Sequence, residues 1–149
     1  ALAIIKGAKP RAVLFENVPG FASAKFEPYR NNLLVSLSKM GYYPEWKILQ
    51  ASNYGVPQLR PRFVLVALNK SDHIHFRWPA ESTFRPTVGE TLIDLMRAGG
   101  WIGAQAWAAT ANRIAPTIVG GSKKHGGPDL GPTRAKKQWR ELGVDGMGI

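Results

Sequence analysis

The stretch AVLFENVPG at residues 12–20 indicates the fold class of this 149-residue chain. Its run of apolar residues predicts a short buried strand, which Pro19 and Gly20 end. Glu16 stands near the carboxyl end of that strand, where ligand crevices open in α/β sheets. Two interpretations of Glu16 remain open: a buried carboxyl that donates a proton near neutral pH, or a carboxylate paired with a structural arginine.

The chain beyond this strand predicts a helix, two further strands and a second helix. Apolar residues at helical spacing favour the first helix, and a Thr-x-x-Glu capping box opens the second. A loop with two prolines separates the two strands. In chain order these elements cover residues 27–40, 43–51, 62–68 and 87–96. Strands combined with covering helices predict the α/β class, with one part of an open sheet.

The composition fits a globular protein of one domain or slightly more. Apolar residues make up 44% and charged residues 20%, which argues against wholesale disorder. The chain has no cysteine, so it brings no disulfide, no thiolate metal site and no cysteine nucleophile of its own. Asp72, His73 and His75 could in principle contribute to a metal site. The sequence shows no further ligand that converges on them, so we expect no metal site.

The charge favours a polyanionic partner. Twenty basic residues against ten acidic ones give a net charge of +10. Residues 97–140 hold eight of the basic residues and a single acidic residue, Asp129. A solvated surface, a membrane-surface patch and a nucleic-acid footprint are the alternatives. We favour a nucleic-acid footprint over a membrane patch, because no lipid-binding amphipathic run accompanies the charge.

The sequence QLRPR at residues 58–62 is the second candidate site. Arg60 and Arg62 share one side of the chain if it is extended there. Two guanidinium groups so placed can hold a carboxylate, a phosphate or a base carbonyl. The alternative is a pair of solvated arginines at a strand edge.

Taken together, these two stretches resemble the DNA cytosine-5 methyltransferase family. Residues 15–20, FENVPG, resemble its ENV motif, and residues 50–62, QASNYGVPQLRPR, resemble its Q-x-R-x-R motif with the usual lead-in. Residues 115–134 resemble, more loosely, the start of its target-recognition domain. The resemblance implies a partial, Rossmann-like S-adenosylmethionine-dependent methyltransferase sheet at residues 1–97. Part of a small irregular DNA-recognition domain would follow at residues 98–149.

The resemblance also implies roles for four residues. In this family a cysteine thiolate attacks C6 of a flipped-out cytosine, and C5 then takes the methyl group of S-adenosylmethionine. Glu16 matches the residue that acts at N3 of the ring, and Asn17 matches its positioning neighbour. Arg62 matches the arginine on the O2 side of the cytosine, and Arg60 matches the companion that orients the site or its phosphate.

Further residues are expected to contact DNA. The sequence GGSKKHGG at residues 120–127 predicts a flexible loop whose lysines lie on phosphates, the alternative being a solvated glycine-rich loop. Arginine and histidine side chains are candidates for base edges, and Thr117 resembles a residue near the flipped base. The predicted DNA-binding set is Gln58, Arg113, Thr117, Lys123, Lys124, His125 and Arg134.

The chain departs from the family in what it lacks. The Pro-Cys loop with the nucleophile and the glycine-rich turn for S-adenosylmethionine are absent, so we expect the chain to be inactive alone. S-adenosylmethionine would bind mainly to parts absent from this chain. We expect a fragment of the enzyme, or one subunit of a split enzyme whose N-terminal part is a separate chain. A non-catalytic DNA-binding module is the alternative. The expected setting is the bacterial cytoplasm, at the nucleoid, in restriction-modification or other DNA methylation.

Overall fold

A computed structural model describes residues 1–118 and 131–145 of the chain. This part is a mixed α/β structure. Its helices are α1 (Leu2–Ala8), α2 (Glu27–Lys39), α3 (Lys70–His73), α4 (Val88–Arg97), α5 (Ala104–Thr110) and α6 (Thr133–Glu141). Its strands are β1 (Ala12–Asn17), β2 (Tyr43–Gln50), β3 (Gln58–Leu59), β4 (Pro61–Leu68) and β5 (Ala115–Pro116). Short 3-10 turns lie at Pro19–Ala22, Ala24–Phe26 and Ala51–Tyr54.

The five elements predicted from the sequence are confirmed, each end to within one residue. They are β1, α2, β2, β4 and α4. The predicted capping box is also present: Glu90 N–H donates to Thr87 Oγ1 at 3.3 Å, and Thr87 N–H donates to Glu90 Oε2 at 2.7 Å. The sequence pattern does not predict helices α1, α3, α5 and α6 or the two-residue strands β3 and β5. Elements this short depend on tertiary packing more than on their own sequence pattern.

The chain divides into two compact units that interleave along the sequence. Unit 1 comprises residues 1–49 and 61–80, and unit 2 comprises residues 50–60 and 81–149. Each unit has its own hydrophobic cluster.

Unit 1 is built on a three-stranded sheet in the order β1-β4-β2. β1 runs antiparallel to β4, with Ala12 opposite Leu68 and Asn17 opposite Phe63. Side chains alternate between the two faces of a strand, so one face of β1 and β4 is apolar and packs with α1 and α2. The buried residues of this core are Ile5, Val13, Leu37, Tyr42, Phe63, Leu65 and Ala67.

The other face of β1 carries Leu14 and Glu16. Leu14 is 68% exposed there. The described part of unit 1 therefore covers one face of β1 and leaves the face that bears Glu16 accessible.

Unit 2 is held together by a small sheet and three helices. β3 and β5 pair in parallel, with Gln58 opposite Ala115. Helices α4 and α5 come very close at Gly89, where an added Cβ would lie 2.1 Å from the carbonyl oxygen of Ala108. Only glycine fits such a backbone approach. The buried residues of this unit's core are Val88, Trp107, Ala111, Ala115, Trp139 and Leu142.

Asp72 and His73 have partners other than a metal. Asp72 accepts two hydrogen bonds from the Arg11 guanidinium, which hold the pKa of Asp72 below its ordinary value. His73 Nε2 lies 2.6 Å from Glu45 Oε1. Within residues 1–118 and 131–145, no group of three or more histidine, aspartate or glutamate side chains is placed to bind a metal ion. No helix of the same residues is long and apolar enough to cross a bilayer.

Candidate active site

Glu16 and Arg62 meet on one face of the unit 1 sheet. The register places Glu16 opposite Val64, so Arg62 is the diagonal neighbour two residues away on the same face. Arg62 Nε lies 2.5 Å from Glu16 Oε1. The Glu16 side chain is 54% exposed and that of Arg62 22% exposed. Of the two interpretations of Glu16, the structure shows the paired carboxylate, and the described residues do not bury it.

The backbone around Arg62 restrains its side chain. Pro61 precedes it and has a fixed φ, which makes the start of β4 stiff. Arg62 Nη1 also donates to the carbonyl oxygen of Pro61 at 2.8 Å. The guanidinium group is therefore tied at two of its nitrogens and presents a fixed positive charge beside Glu16.

Asn17 stabilises the turn at the end of β1. Its side chain points to the face opposite that of Glu16, since successive residues of a strand alternate. Asn17 Oδ1 accepts a hydrogen bond from Val18 N–H at 2.8 Å. This local bond stabilises the turn that leaves β1 for the 3-10 turn at Pro19–Ala22, and so holds the position of Glu16.

A cavity of about 550 Å³ adjoins this strand end within unit 1. Glu16, Asn17, Phe21, Tyr29 and Asn32 are among its lining residues. The Phe21 ring packs edge-on against Tyr29, with 5.9 Å between ring centroids. The volume lies in the range of small-molecule sites, and the lining combines aromatic surface with polar residues at the end of β1.

Unit 2 brings together predicted residues that lie far apart in the sequence. The pairing of β3 with β5 places Thr117 beside Leu59, and Thr117 Oγ1 donates to the Leu59 carbonyl at 2.5 Å. Arg60 Nη1 donates to the carbonyl oxygen of Ile118 at 3.4 Å. Gln58, Arg60 and Thr117 thus form one local group. Arg60 and Arg62, two residues apart, have different partners: Ile118 in unit 2 and Glu16 in unit 1.

The other predicted DNA-binding residues are distributed differently. Arg113 Nη2 lies 3.4 Å from both the carboxylate and the carbonyl oxygen of Glu141, so an acidic partner shares its charge. Arg134 is exposed in the first turn of α6. The remaining three, Lys123, Lys124 and His125, lie outside the described residues.

Two exposed cations on α6, Lys137 and Arg140, are not among the residues predicted from the motifs. They are three residues apart and therefore share a helix face. Their signal in the sequence is the helical spacing of residues 133–142.

Comparison with known proteins places these motifs in one family. The family model described as C-5 cytosine-specific DNA methylase matches residues 1–142. The chain is 62% identical over 141 residues to the Type II methyltransferase M.NaeI of Lentzea aerocolonigenes, covering 95% of this chain and 34% of that protein. It is 45% identical over 120 residues to M.NgoMIV of Neisseria gonorrhoeae, covering 80% of this chain and 38% of that protein. The chain thus spans about a third of the length of these relatives.

A solved structure agrees with the predicted fold. The crystal structure of a candidate DNA modification methyltransferase encoded within an E. coli prophage matches with a TM-score of 0.51 and 25% identity. The match covers 61% of this chain and 27% of that one. The prediction of a partial methyltransferase fold of the α/β class is therefore confirmed.

Proposed function

The chain belongs to the C-5 cytosine-specific DNA methylase family, and on this basis we propose that it forms part of an enzyme that methylates C5 of cytosine in duplex DNA. The relatives are named as Type II methyltransferases, which favours a role in a restriction-modification system. Its substrate would place the enzyme in the cytoplasm, at the bacterial nucleoid.

The observation that carries the proposal is the Glu16–Arg62 ion pair. A structural salt bridge on a half-exposed surface contributes little to stability, so stability alone is a weak reason for this pair. The pair instead sets a carboxylate and a guanidinium side by side at the end of β1, and Glu16 is also among the residues that line the unit 1 cavity. The pair therefore offers a ligand both a carboxylate and a fixed positive charge at one end of β1.

Addition of a nucleophile at C6 of a cytosine ring requires stabilisation of negative charge at two positions. Electron density must move toward N3 and O2, and groups at those atoms must stabilise it. We assign the N3 contact to Glu16, whose carboxylate would take up a proton from solvent when the cytosine binds and share it with N3. We assign the O2 contact to Arg62, whose fixed charge needs little reorganisation. The base must leave the helical stack to reach these groups, since they cannot enter a duplex.

The residues of this chain do not by themselves fit the methyl donor. S-adenosylmethionine would supply the methyl group, but the 149 residues contain no G-x-G-x-x-G turn for it. They also contain no cysteine to attack C6. We therefore assign both functions to other segments, in a longer polypeptide or in a partner chain, and propose that these 149 residues alone are inactive.

DNA contacts are assigned to residues of unit 2. The local group of Gln58, Arg60 and Thr117 would position the flipped nucleotide or its phosphate. Arg113 and Arg134 are candidates for base edges, while Lys123 and Lys124 would lie on phosphates and His125 beside them. In this proposal residues 1–97 supply the catalytic residues, with Gln58 and Arg60 also contacting the nucleotide, and residues 98–149 serve recognition. The basic excess would also suit a DNA-binding module without catalysis, and the Glu16–Arg62 pair favours the enzyme.

The test is the identity of the product. The full-length protein that contains this sequence is incubated with methyl-tritiated S-adenosylmethionine and duplex DNA, and the nucleosides are separated after digestion. We expect the label in 5-methylcytosine, and no label when the 149-residue chain replaces the full-length protein. Label on an exocyclic amino group, or binding without transfer by the full-length protein, would contradict the proposal.

A further inference from the structure

Helix α6 has a buried face and an opposite, exposed face. The inner side, at spacing i, i+4 and i+7, carries Ala135, Trp139 and Leu142. Trp139 and Leu142 belong to the core of unit 2. The outer side repeats the same spacing with Thr133, Lys137 and Arg140, and all three are exposed. With 3.6 residues per turn, each set lies on a single face of the helix.

The charge of this helix is strongly one-sided. Four basic residues stand against one acidic residue in the nine residues of α6. The acidic residue, Glu141, is approached by Arg113 at 3.4 Å. Arg140 lies 3.9 Å from Asp145, and both side chains are about two-thirds exposed, so this contact neutralises little of the charge.

Like charges three or four residues apart repel each other on a helix surface, so a bound polyanion would stabilise this face of α6. Lys137 and Arg140 are three residues apart. A polyanion that binds along the helix would relieve their repulsion.

We propose that the exposed face formed by Thr133, Lys137 and Arg140, here called the α6 stripe, binds the phosphate backbone of duplex DNA without reading its sequence. The inference rests on the proposed function, since DNA is the substrate named there. From Thr133 to Arg140 the helix rises about 10 Å at 1.5 Å per residue. One DNA strand presents a phosphate about every 3.4 Å of axis, so the α6 stripe can meet two or three in succession. Such contacts orient a protein on DNA and supply affinity, while base edges supply specificity.

An anionic membrane is the other polyanion to consider, and the packing argues against it. A helix that lies in a membrane surface must bury a free apolar face in the lipid. The apolar face of α6 is already occupied by the core of unit 2, where Trp139 is 7% and Leu142 2% exposed. Only the charged face of α6 remains accessible to a ligand, and its charge is complementary to the phosphate backbone of DNA.

The test is the salt dependence of DNA binding by the full-length protein. The variant Lys137→Gln/Arg140→Gln is compared with wild type by fluorescence anisotropy at several KCl concentrations. Each lost phosphate contact lowers the slope of log K against log salt by about 0.9, so we expect a slope smaller by about 2. From 50 to 200 mM salt the wild type should then lose on the order of tenfold more affinity than the variant. The affinity that the variant loses should be equal on a duplex that contains the site methylated by the full-length protein and on a duplex of scrambled sequence.

A control variant removes the same charge elsewhere. Lys6→Gln/Lys39→Gln changes two exposed lysines of unit 1 and should leave the slope unchanged. Lys137→Arg/Arg140→Lys keeps the charge of the α6 stripe and should keep the wild-type slope. If the double glutamine variant does not fold, Lys137→Gln alone should lower the slope by about 1.

Three results would overturn the inference: a slope equal to that of the control, an affinity loss confined to the specific duplex, or a loss of binding to phosphatidylserine vesicles with DNA binding intact. The salt slope needs no catalysis, so a wild-type protein that fails to methylate DNA would refute the proposed function and leave this test valid. A protein that methylates DNA with an unchanged slope would refute the α6 stripe alone.

Discussion

Arg62 Nε lies 2.5 Å from Glu16 Oε1 because the two residues are diagonal neighbours on antiparallel strands. Glu16 is opposite Val64, and two residues along β4 the same face carries Arg62. The rigid start of β4 at Pro61 then directs a positive charge at the carboxylate. The pair is therefore a consequence of strand register and needs no flexible loop to form.

We expect Glu16 and Arg62 to act as a unit in methyl transfer. Arg62→Gln in the full-length protein should lower the transfer rate by about 10²-fold, the usual effect of removing one preorganised electrostatic contact. The double variant with Glu16→Gln should be slowed far less than the product of the two single effects, since coupled residues are not additive. The measurement is a double-mutant cycle on single-turnover rates.

Arg11→Gln provides the control for this cycle. Arg11 also forms an ion pair in unit 1, with Asp72 at 2.5 Å, yet it has no place in the proposed site. Its variant should transfer methyl groups at the wild-type rate. If the rate loss of the double variant equals the product of the two single losses, Glu16 and Arg62 act independently. That result would contradict the claim that they act as a unit.

Gly89→Ala should strongly destabilise the protein. The new Cβ would lie 2.1 Å from a backbone oxygen of α5, which cannot turn away as a side chain does. Overpacking of this kind costs about 1–3 kcal/mol or more. Gly7→Ala is the matched helical control: nothing lies within 4 Å of its Cβ, and it should be neutral or stabilising by up to about 1 kcal/mol. Thermal unfolding of the two variants compares them, and equal melting temperatures would show that α4 and α5 do not meet at Gly89.

The capping box at Thr87 should make part of the stability depend on pH. The Thr87 backbone N–H and hydroxyl both donate to the Glu90 carboxylate and hold the pKa of Glu90 below its ordinary value. A lowered folded-state pKa means that the ionised form favours the folded state. This stabilisation is complete above the unfolded-state pKa and is lost as pH falls through the folded-state pKa.

Glu90→Gln tests this directly. Its melting temperature should be below that of wild type at pH 7, and the difference should shrink as the pH is lowered past the folded-state pKa of Glu90. A difference that stays constant from pH 7 to strongly acidic pH would contradict an ionised Glu90 in the cap.

Local sequence signals were sufficient for several of the structural elements. Apolar runs and helical spacing found β1, β4 and α2, because these segments bury one face and so repeat with the period of their backbone. The capping box at Thr87 was found because its two hydrogen bonds need fixed residue types three apart.

What the sequence could not supply is how distant segments pair. The contact of Glu16 with Arg62 depends on a register that neither motif encodes alone. The parallel pairing of Gln58 with Ala115 joins segments that no local pattern relates. Helix α6 was missed because its polar residues outnumber its apolar ones, and its helical state depends on Trp139 packing into the core.

The most direct test of the account is Glu16→Gln in the full-length protein, with methyl transfer and duplex binding measured on the same preparation. A group that handles the proton at N3 should matter to the transition state and little to the bound ground state. We expect the transfer rate to fall by about 10²–10⁴-fold while the dissociation constant for DNA changes little. Equal losses in transfer and in binding would show that Glu16 serves DNA binding or folding, and would contradict its assignment to the chemistry.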